Sequence, residues 1–586
     1  MSCNLGQRIR SKGTSLAEVG ARSAGSKAGS GTDFFANAMR PVRQHDGSPR
    51  METVRVIGAT LMGIHAEIVT VEAHFAPADK TGTIVVLTGL PDAVLRESRG
   101  RLLTALAATG LHTPQGRLHL NLVPAARPKG GAALELPLAV AAAAAVGHLK
   151  PAQVRGALFM GEVGLDGTLH GVPGGLASAI AAHAAGIPTW IGAASSAQEA
   201  AALDDLEVFE AKTLGAVLAH VSRTSPDVVG LARAVPPEAA TARMPSGTGI
   251  DLQHIRGAGE AKAALAVSAA GGHGLLMTGP PGSGKSMLAQ ALIGLLPPPS
   301  RQEQLEITAV QSAAGRWPAG LARTRPFRAP HPTASTVGII GGGPALVPGE
   351  VSLAHRGVLF LDELPEFRRE TLESLRQPLE DGRVCLSRAG RQAELPARFL
   401  LVAAMNPCPC GYAGHPRRVC RCAPSVVARY RQRISGPLLD RIDLRIDVQP
   451  PDARTLTAPA RDSQSQSDSH AQRSPHVAIE RAQVARRERG QRIPNGRLRP
   501  DDLDRYAPLQ GAAREWAIEA ADRRALSARA LQSVRRVART LADMQGNPTI
   551  ETEHVAAALG LRAPLDARDA EQAARTRPAA RGPTTT

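Results

Sequence analysis

Eight residues, GPPGSGKS from Gly279 to Ser286, have the spacing G-x-x-x-x-G-K-[ST]. Glycines let a backbone wrap phosphate oxygens with its N–H groups, and a helix that follows turns its positive N-terminal end toward the same anion. On this reading Gly279, Pro280, Pro281, Gly282, Ser283 and Gly284 form a cradle, Lys285 reaches the outer phosphates and Ser286 ligates Mg²⁺. HGLLMT before the loop reads as a strand and MLAQALIGLL after it as a helix, a context that a chance Gly-rich turn lacks. The apolar run GVLFLDE, Gly357 to Glu363, ends in paired acids. Asp362 would hold the Mg²⁺ shell and Glu363 would polarise an attacking water. FLLVAAMN ends on Asn406, a polar residue that is costly at the end of a buried strand unless paired, and one suited to sensing a terminal phosphate. SGPLLDRID, Ser435 to Asp443, offers Arg441 to the phosphate of a neighbouring subunit. LSARALQSVRR, Leu526 to Arg536, offers Arg529 as a second sensor, acting in cis.

Directly after Asn406 comes a second constellation. Cys408, Cys410, Cys420 and Cys422 have the pattern C-x-C-x₉-C-x-C. Four thiolates satisfy tetrahedral Zn²⁺ with no open position, so a metal here would fold the loop rather than catalyse. Free or buried thiols are the plainer alternative, and His415 is a possible but unneeded ligand. From Cys408 to Arg433 the chain carries six arginines and no acid, too polar to fold by burial alone.

These groups need elements to position them. A chain of 586 residues exceeds one core and predicts two or three domains. Residues 1–50 are Gly/Ser-rich and basic, without the apolar stretch of a secretory signal, and read as a disordered extension; Met51 could be the true start. Residues 51–222 alternate strand-like runs (Thr83 to Gly89, Arg117 to Pro124) with helix-like ones (Ala93 to Gly110). A Pro/Ala/Thr-rich linker over 223–248 precedes the chemical core at 249–450. A polar connection at 451–475, a helical segment at 476–562 and a loose tail at 563–586 complete the chain. Leu136 to Gly147 is too short and Ala-rich for a membrane span and reads as a core helix. Six cysteines do not make a disulfide framework, and a cytoplasmic location is expected. Lys plus Arg is 69 against 52 for Asp plus Glu, a balance of +17 that suits a polyanionic partner as well as it suits a basic proteome.

In order and wording these motifs resemble the Mg-chelatase-like AAA+ ATPases, specifically the ComM/YifB competence type. The resemblance rests on GGHGLLMTGPPGSGKSMLAQ, RPFRAPHPTAS, PGEVSLAHRGVLFLDELPEFRRETLESLRQPLEDG and the run from PARFLLVAAMNPCPCGY to RYRQRISGPLLDRIDL. LTGLPDAVLRESRGRL and FMGEVGLDGTLHGV extend it toward the N-terminus, so that it covers roughly residues 51–562. It implies an α/β fold: a P-loop NTPase core with a parallel sheet flanked by helices and a C-terminal helical lid. An N-terminal Lon-protease-like α/β domain of the ribosomal-S5 type would precede it. It further implies ATP and Mg²⁺, and a hexameric ring acting on branched or single-stranded DNA without sequence specificity. Such a ring would promote branch migration in recombination and natural transformation. Departures at Ala258, His331-Pro332-Thr333 and Ser533, where the family usually differs, spare the phosphate-binding residues.

Two other functions compete. A protease would need a serine and a lysine, but PKGGAALELP has no serine and GVPGGLASAIAAH has no lysine; Ala177 and Ala179 stand at the expected positions, which excludes acyl transfer. A chelatase-like motor for metal insertion shares the ATPase core, although such motors are expected to lack both the N-terminal domain and the cysteines. DNA contact is read onto the hairpin Pro378 to Phe399, whose turn at Ala389-Gly390 is flanked by Arg388 and Arg391; a solvated hairpin tip is the equal alternative.

Overall fold

The computed structural model describes residues 53–563, apart from 79–81, 90–92, 126–130, 224–229, 237–249, 318–319, 344–345, 389–390, 416 and 452–473. The extension at 1–50, most of the linker at 223–248, most of the connection at 451–475, the tail beyond residue 563 and the turn Ala389-Gly390 therefore lie outside the described residues.

Alternation of buried and open positions along Val54–Met62 and His65–Pro77 puts Val54, Val56, Val69, Val71, Ala73 and Phe75 on one face. These two strands pair antiparallel at the centre of an eight-stranded mixed sheet. Its spatial order is Ala232–Arg233, Glu207–Ala211, Thr189–Ala193, Ala157–Met160, Val54–Met62, His65–Pro77, Gly116–Val123, Ile84–Thr88. The edge pair Ala232–Arg233 falls inside the stretch expected to be linker: it bonds back onto Glu210 and Phe209, so the first unit reaches beyond residue 222. Two residues carry no periodicity, and only the pairing reveals them. The Ala-rich helix Glu135–Ala145 is buried along all but its last residue, as a core helix should be.

The second sheet has five parallel strands, in spatial order Phe327–Arg328, Val358–Leu361, Leu400–Met405, Leu275–Thr278, Leu444–Asp447. Every residue of Val358–Leu361, Leu400–Met405 and Leu275–Thr278 is buried, the continuous apolar signature of strands covered on both faces. Numbered within this sheet the order is 2-3-4-1-5, which puts the ends of strands 1, 3 and 4 side by side at the carboxyl edge, where open α/β sheets bind ligands. Helices Pro475–Glu488, Pro500–Tyr506, Gly511–Arg523, Ala528–Gln545 and Thr552–Gly560 form the lid and share one hydrophobic cluster with the sheet.

A buried polar seam also joins lid to sheet. His273 bonds Asp443 at 2.8 Å and Thr540 at 2.7 Å. Ser533 and Arg536 of the lid donate to the same Asp443 carboxylate. Asn495 ties Thr540 to Asp543, which is itself clasped by Arg489 and Arg539. Burial, the largest single influence, pushes the Asp443 carboxyl up, yet Arg536, His273 and Ser533 together hold it well below the ordinary range.

Candidate functional site

Gly279 leaves strand Leu275–Thr278 so close to Val448 that a Cβ would stand 2.3 Å from its carbonyl oxygen. Gly284 has φ +85 and caps helix Lys285–Leu295, so the loop's turn into that helix is one that only glycine makes without strain. Lys285 is buried and donates to the carbonyls of Gly279 at 2.7 Å and Pro280 at 2.9 Å, with Ser283 Oγ and Asn406 Oδ1 each at 3.4 Å. Burial pushes the Lys285 ammonium down, and the carboxylates of Asp362 and Glu363 act against that. Ser286 Oγ donates to Asp362 Oδ2 at 2.7 Å. The hydroxyl and carboxylate form a hard oxygen donor pair beside the phosphate loop, and so fit Mg²⁺. Glu363 is exposed and held at φ +51, its N–H donating to Asp362 Oδ1 at 2.9 Å. A left-handed glutamate costs energy that the surroundings must supply. Lys285, Ser286, Asp362, Glu363 and Asn406 thus converge at one edge, where a nucleoside triphosphate with Mg²⁺ would find its charge-neutralising partners.

The two arginines lie elsewhere. Arg441 donates to Pro437 O at 2.8 Å and to the Glu380 carboxylate. Arg529 reaches the other oxygen of Glu380 at 3.4 Å. Arg529, expected in cis, is thereby found beside Arg441 on a shared carboxylate rather than on the phosphate loop. The Arg441 hydrogen bond, aided by the charges of Arg441 and Arg529, holds the Glu380 carboxyl below its usual range. An open cleft of about 560 Å³ adjoins this pair, with Glu373, Arg376 and Cys385 on its walls.

The four cysteines do come together. Cys408 Sγ lies 3.3 Å from Cys410 and 3.6 Å from Cys420, and the ligand atoms of all four fall within 4.8 Å of one another. Edges of a tetrahedron with Zn–S bonds of about 2.3 Å measure about 3.8 Å, so the cluster has the size of a zinc site. Backbone N–H groups already point at the sulfurs: Ala413 at Cys408, 3.3 Å, and Cys422 at Cys420, 3.4 Å. N–H groups of Arg421 and Tyr412 draw the Cys410 thiol down to about 6. Cys420 is pushed up to about 12: the Cys422 N–H, its largest single influence, acts downward but is outweighed by lost hydration and the sulfurs of Cys408 and Cys410. One easily ionised thiol crowded by others is what a cation would relieve. His415 instead accepts from the N–H groups of Arg417 and Arg418, and is not part of the cluster.

Among the readings made from sequence, the hairpin is present as Arg383–Arg388 paired with Arg391–Pro396, with Arg388 exposed. Its inner residues Val384 and Leu395 pack in a cluster with Ile64 of the first sheet's leading turn. Ala177 and Ala179 are buried, and Ser178 between them is spent on Gly175 O and Trp190 Nε1. Glu380, Asp443 and Gly411 had no sequence signal: each is an ordinary residue type made important by a partner far along the chain.

Residues 251–456 match the family described as magnesium chelatase, subunit ChlI; residues 71–195 match subunit ChlI of Mg-chelatase; residues 468–562 match the C-terminal region of the same subunit. Over 522 residues the chain is 37% identical to Competence protein ComM of Haemophilus influenzae, covering 88% of this chain and 98% of that protein. It is 38% identical over 509 residues to an uncharacterized protein, YifB, of Salmonella typhimurium, covering 86% and 95%. An uncharacterized protein of Mycobacterium tuberculosis is 39% identical over 515 residues, covering 87% and 98%.

Proposed function

This chain belongs to the Mg-chelatase-like family of AAA+ ATPases, of the ComM/YifB type, and from that premise we propose that it is a hexameric motor that hydrolyses ATP to move on DNA and drive branch migration in recombination and natural transformation. One observation carries the ATP half of the reading: Lys285, Ser286, Asp362, Glu363 and Asn406 meet at one sheet edge, while Arg441 and Arg529 stand apart on Glu380. In this reading Lys285 and the loop hold the phosphates, Ser286 and Asp362 hold Mg²⁺, and Glu363 orients the attacking water. Asn406 reads the terminal phosphate, and Arg441, with Arg529 beside it, neutralises charge on the nucleotide of an adjacent copy. Likeness to a competence protein along nearly its whole length, together with the balance of +17, supports DNA as the partner. Contacts to phosphate carry no base information, so binding is non-specific and weakens steeply with salt. The same proposal puts Zn²⁺ in the cysteine cluster, about one per chain, released by Cys408→Ser with Cys420→Ser.

A labelled four-way junction tests the DNA reading. ATP should move a homologous junction, and Glu363→Gln should bind it without moving it. An inert junction with active ATPase would turn attention to the second reading, which the family descriptions favour: a chelatase-like motor acting on a protein or metal-insertion client.

A further inference from the structure

The cysteine loop and the phosphate loop touch. Gly411, in the turn Cys408–Gly411 closed by its N–H on Cys408 O at 2.9 Å, has φ +81. A Cβ on it would stand 2.6 Å from Pro281 Cδ, so its backbone lies against the proline ring of the phosphate loop. Two residues before Cys408, Asn406 faces the Lys285 ammonium. Met405 O accepts the Gly279 N–H at 3.2 Å, and Arg431 donates to Pro407 O at 3.2 Å. Tyr430, buried and pushed up to about 12 by that burial, is hydrogen-bonded by the Asn406 backbone. Cys408 is fully buried at the root of this bracket, whereas Arg417, Arg418, Val419 and Arg421 at the far end are exposed.

We infer that the four-cysteine knuckle is a positioning element for the nucleotide: the metal it holds clamps Gly411 against Pro281 and keeps Asn406 over Lys285. The inference rests on the zinc reading. Its physical basis is that the stretch from Cys408 to Cys422 has one buried apolar anchor, Cys408 itself, among its described residues. Ordering so polar a loop costs chain entropy that a metal cross-link offsets. Without the cross-link the turn at Gly411 and the approach to Asn406 lose their shared support, and the phosphate loop loses one wall.

Two variants of the full-length protein separate this from a merely structural zinc. Gly411→Ala keeps all four thiols but drives a methyl group into Pro281 in a backbone region that alanine disfavours. It should retain about one zinc per chain by metal analysis, yet bind a fluorescent ATP analogue with Mg²⁺ roughly 10-fold more weakly. Steady-state hydrolysis should show the loss mainly in KM, since the contact shapes the cradle and not the water-orienting acids. Cys408→Ser with Cys420→Ser should lose the zinc and show the same weakened binding, with far-UV circular dichroism unchanged. A zinc-loaded native protein whose Gly411→Ala variant binds nucleotide like the wild type overturns the inference and leaves the zinc reading standing. A zinc-free native protein overturns both.

Discussion

The phosphate side and the arginine side of this ATPase are built in opposite ways. On the phosphate side, residues from the ends of three adjacent strands meet over short distances, and the lysine is buried on carbonyls that fix its place. On the arginine side, two guanidinium groups share one half-exposed carboxylate next to an open cleft. The first side is complete within one chain. The second is lighter only in part: Arg441 is largely buried on Glu380 and Pro437 O, whereas the Arg529–Glu380 pair is exposed on both sides and contributes only about 0–1 kcal/mol. If the proposed ring forms, the fold spends its rigidity on one half of a catalytic site and leaves the other half to a second copy.

The largest effect on nucleotide binding should come from the rigid side. Lys285→Ala removes the cation buried under the loop and should weaken ATP binding by at least about 100-fold in equilibrium titration, whatever the protein concentration. Arg441→Ala should leave ATP binding within about 3-fold while lowering hydrolysis by about 10³. Mixed with Lys285→Ala subunits it should regain turnover, each supplying what the other lacks; a mixture as inert as its parts would break the comparison. Glu380→Gln is the sharper probe. If the carboxylate merely parks the arginines, hydrolysis should change by no more than about 3-fold. A collapse matching that of Arg441→Ala would instead mean that the arginine side is also pre-built, with Glu380 its organiser.

The smallest effect concerns the support behind the acids. Glu306 takes hydrogen bonds from His355 at 3.1 Å and Arg356 at 2.7 Å, just ahead of the strand that delivers Asp362 and Glu363. The His355 bond, with Arg356, outweighs burial and draws the Glu306 carboxyl down to about 2. A folded value below the unfolded 4.5 means the stabilisation is complete above about pH 4.5 and fades as pH falls toward 2. Allowing for partial exposure, it amounts to about 1–2 kcal/mol. Thermal melts of wild type and Glu306→Gln should therefore differ at pH 6 and converge as the pH falls toward 2.

What could be read from sequence divides along the same line. GPPGSGKS, GVLFLDE and the strand ending in Asn406 are legible because their chemistry is local: glycines, a lysine and paired acids at fixed offsets from apolar runs. The cysteine cluster is legible for the same reason, its spacing being short enough to close without help from the fold. Glu380 is not, since its two arginines lie 61 and 149 positions away and nothing in PLEDG marks its acid from any helix-end glutamate. The place of Arg529 on Glu380 had no such signal either. Its helix was evident, but which nucleotide it faces depends on how the lid docks. Gly411 looked like one more turn glycine, and only the proximity of Pro281 gives it a meaning.

The seam centred on Asp443 and Asp543 bears on how such a machine could move. Swinging the lid away from its own sheet would strip Ser533 and Arg536 from the buried Asp443 carboxylate and Thr540 from the buried His273. Removing one partner of a buried pair such as Arg536–Asp443 costs about 3–5 kcal/mol, and the hydrogen bonds of Ser533 and Thr540 would be lost with it. Lid and sheet therefore travel as a single stiff lever, like a wrench forged in one piece. In the proposed ring, the slack that turns chemistry into motion would then belong where one lever bears on the next, beside the arginines on Glu380.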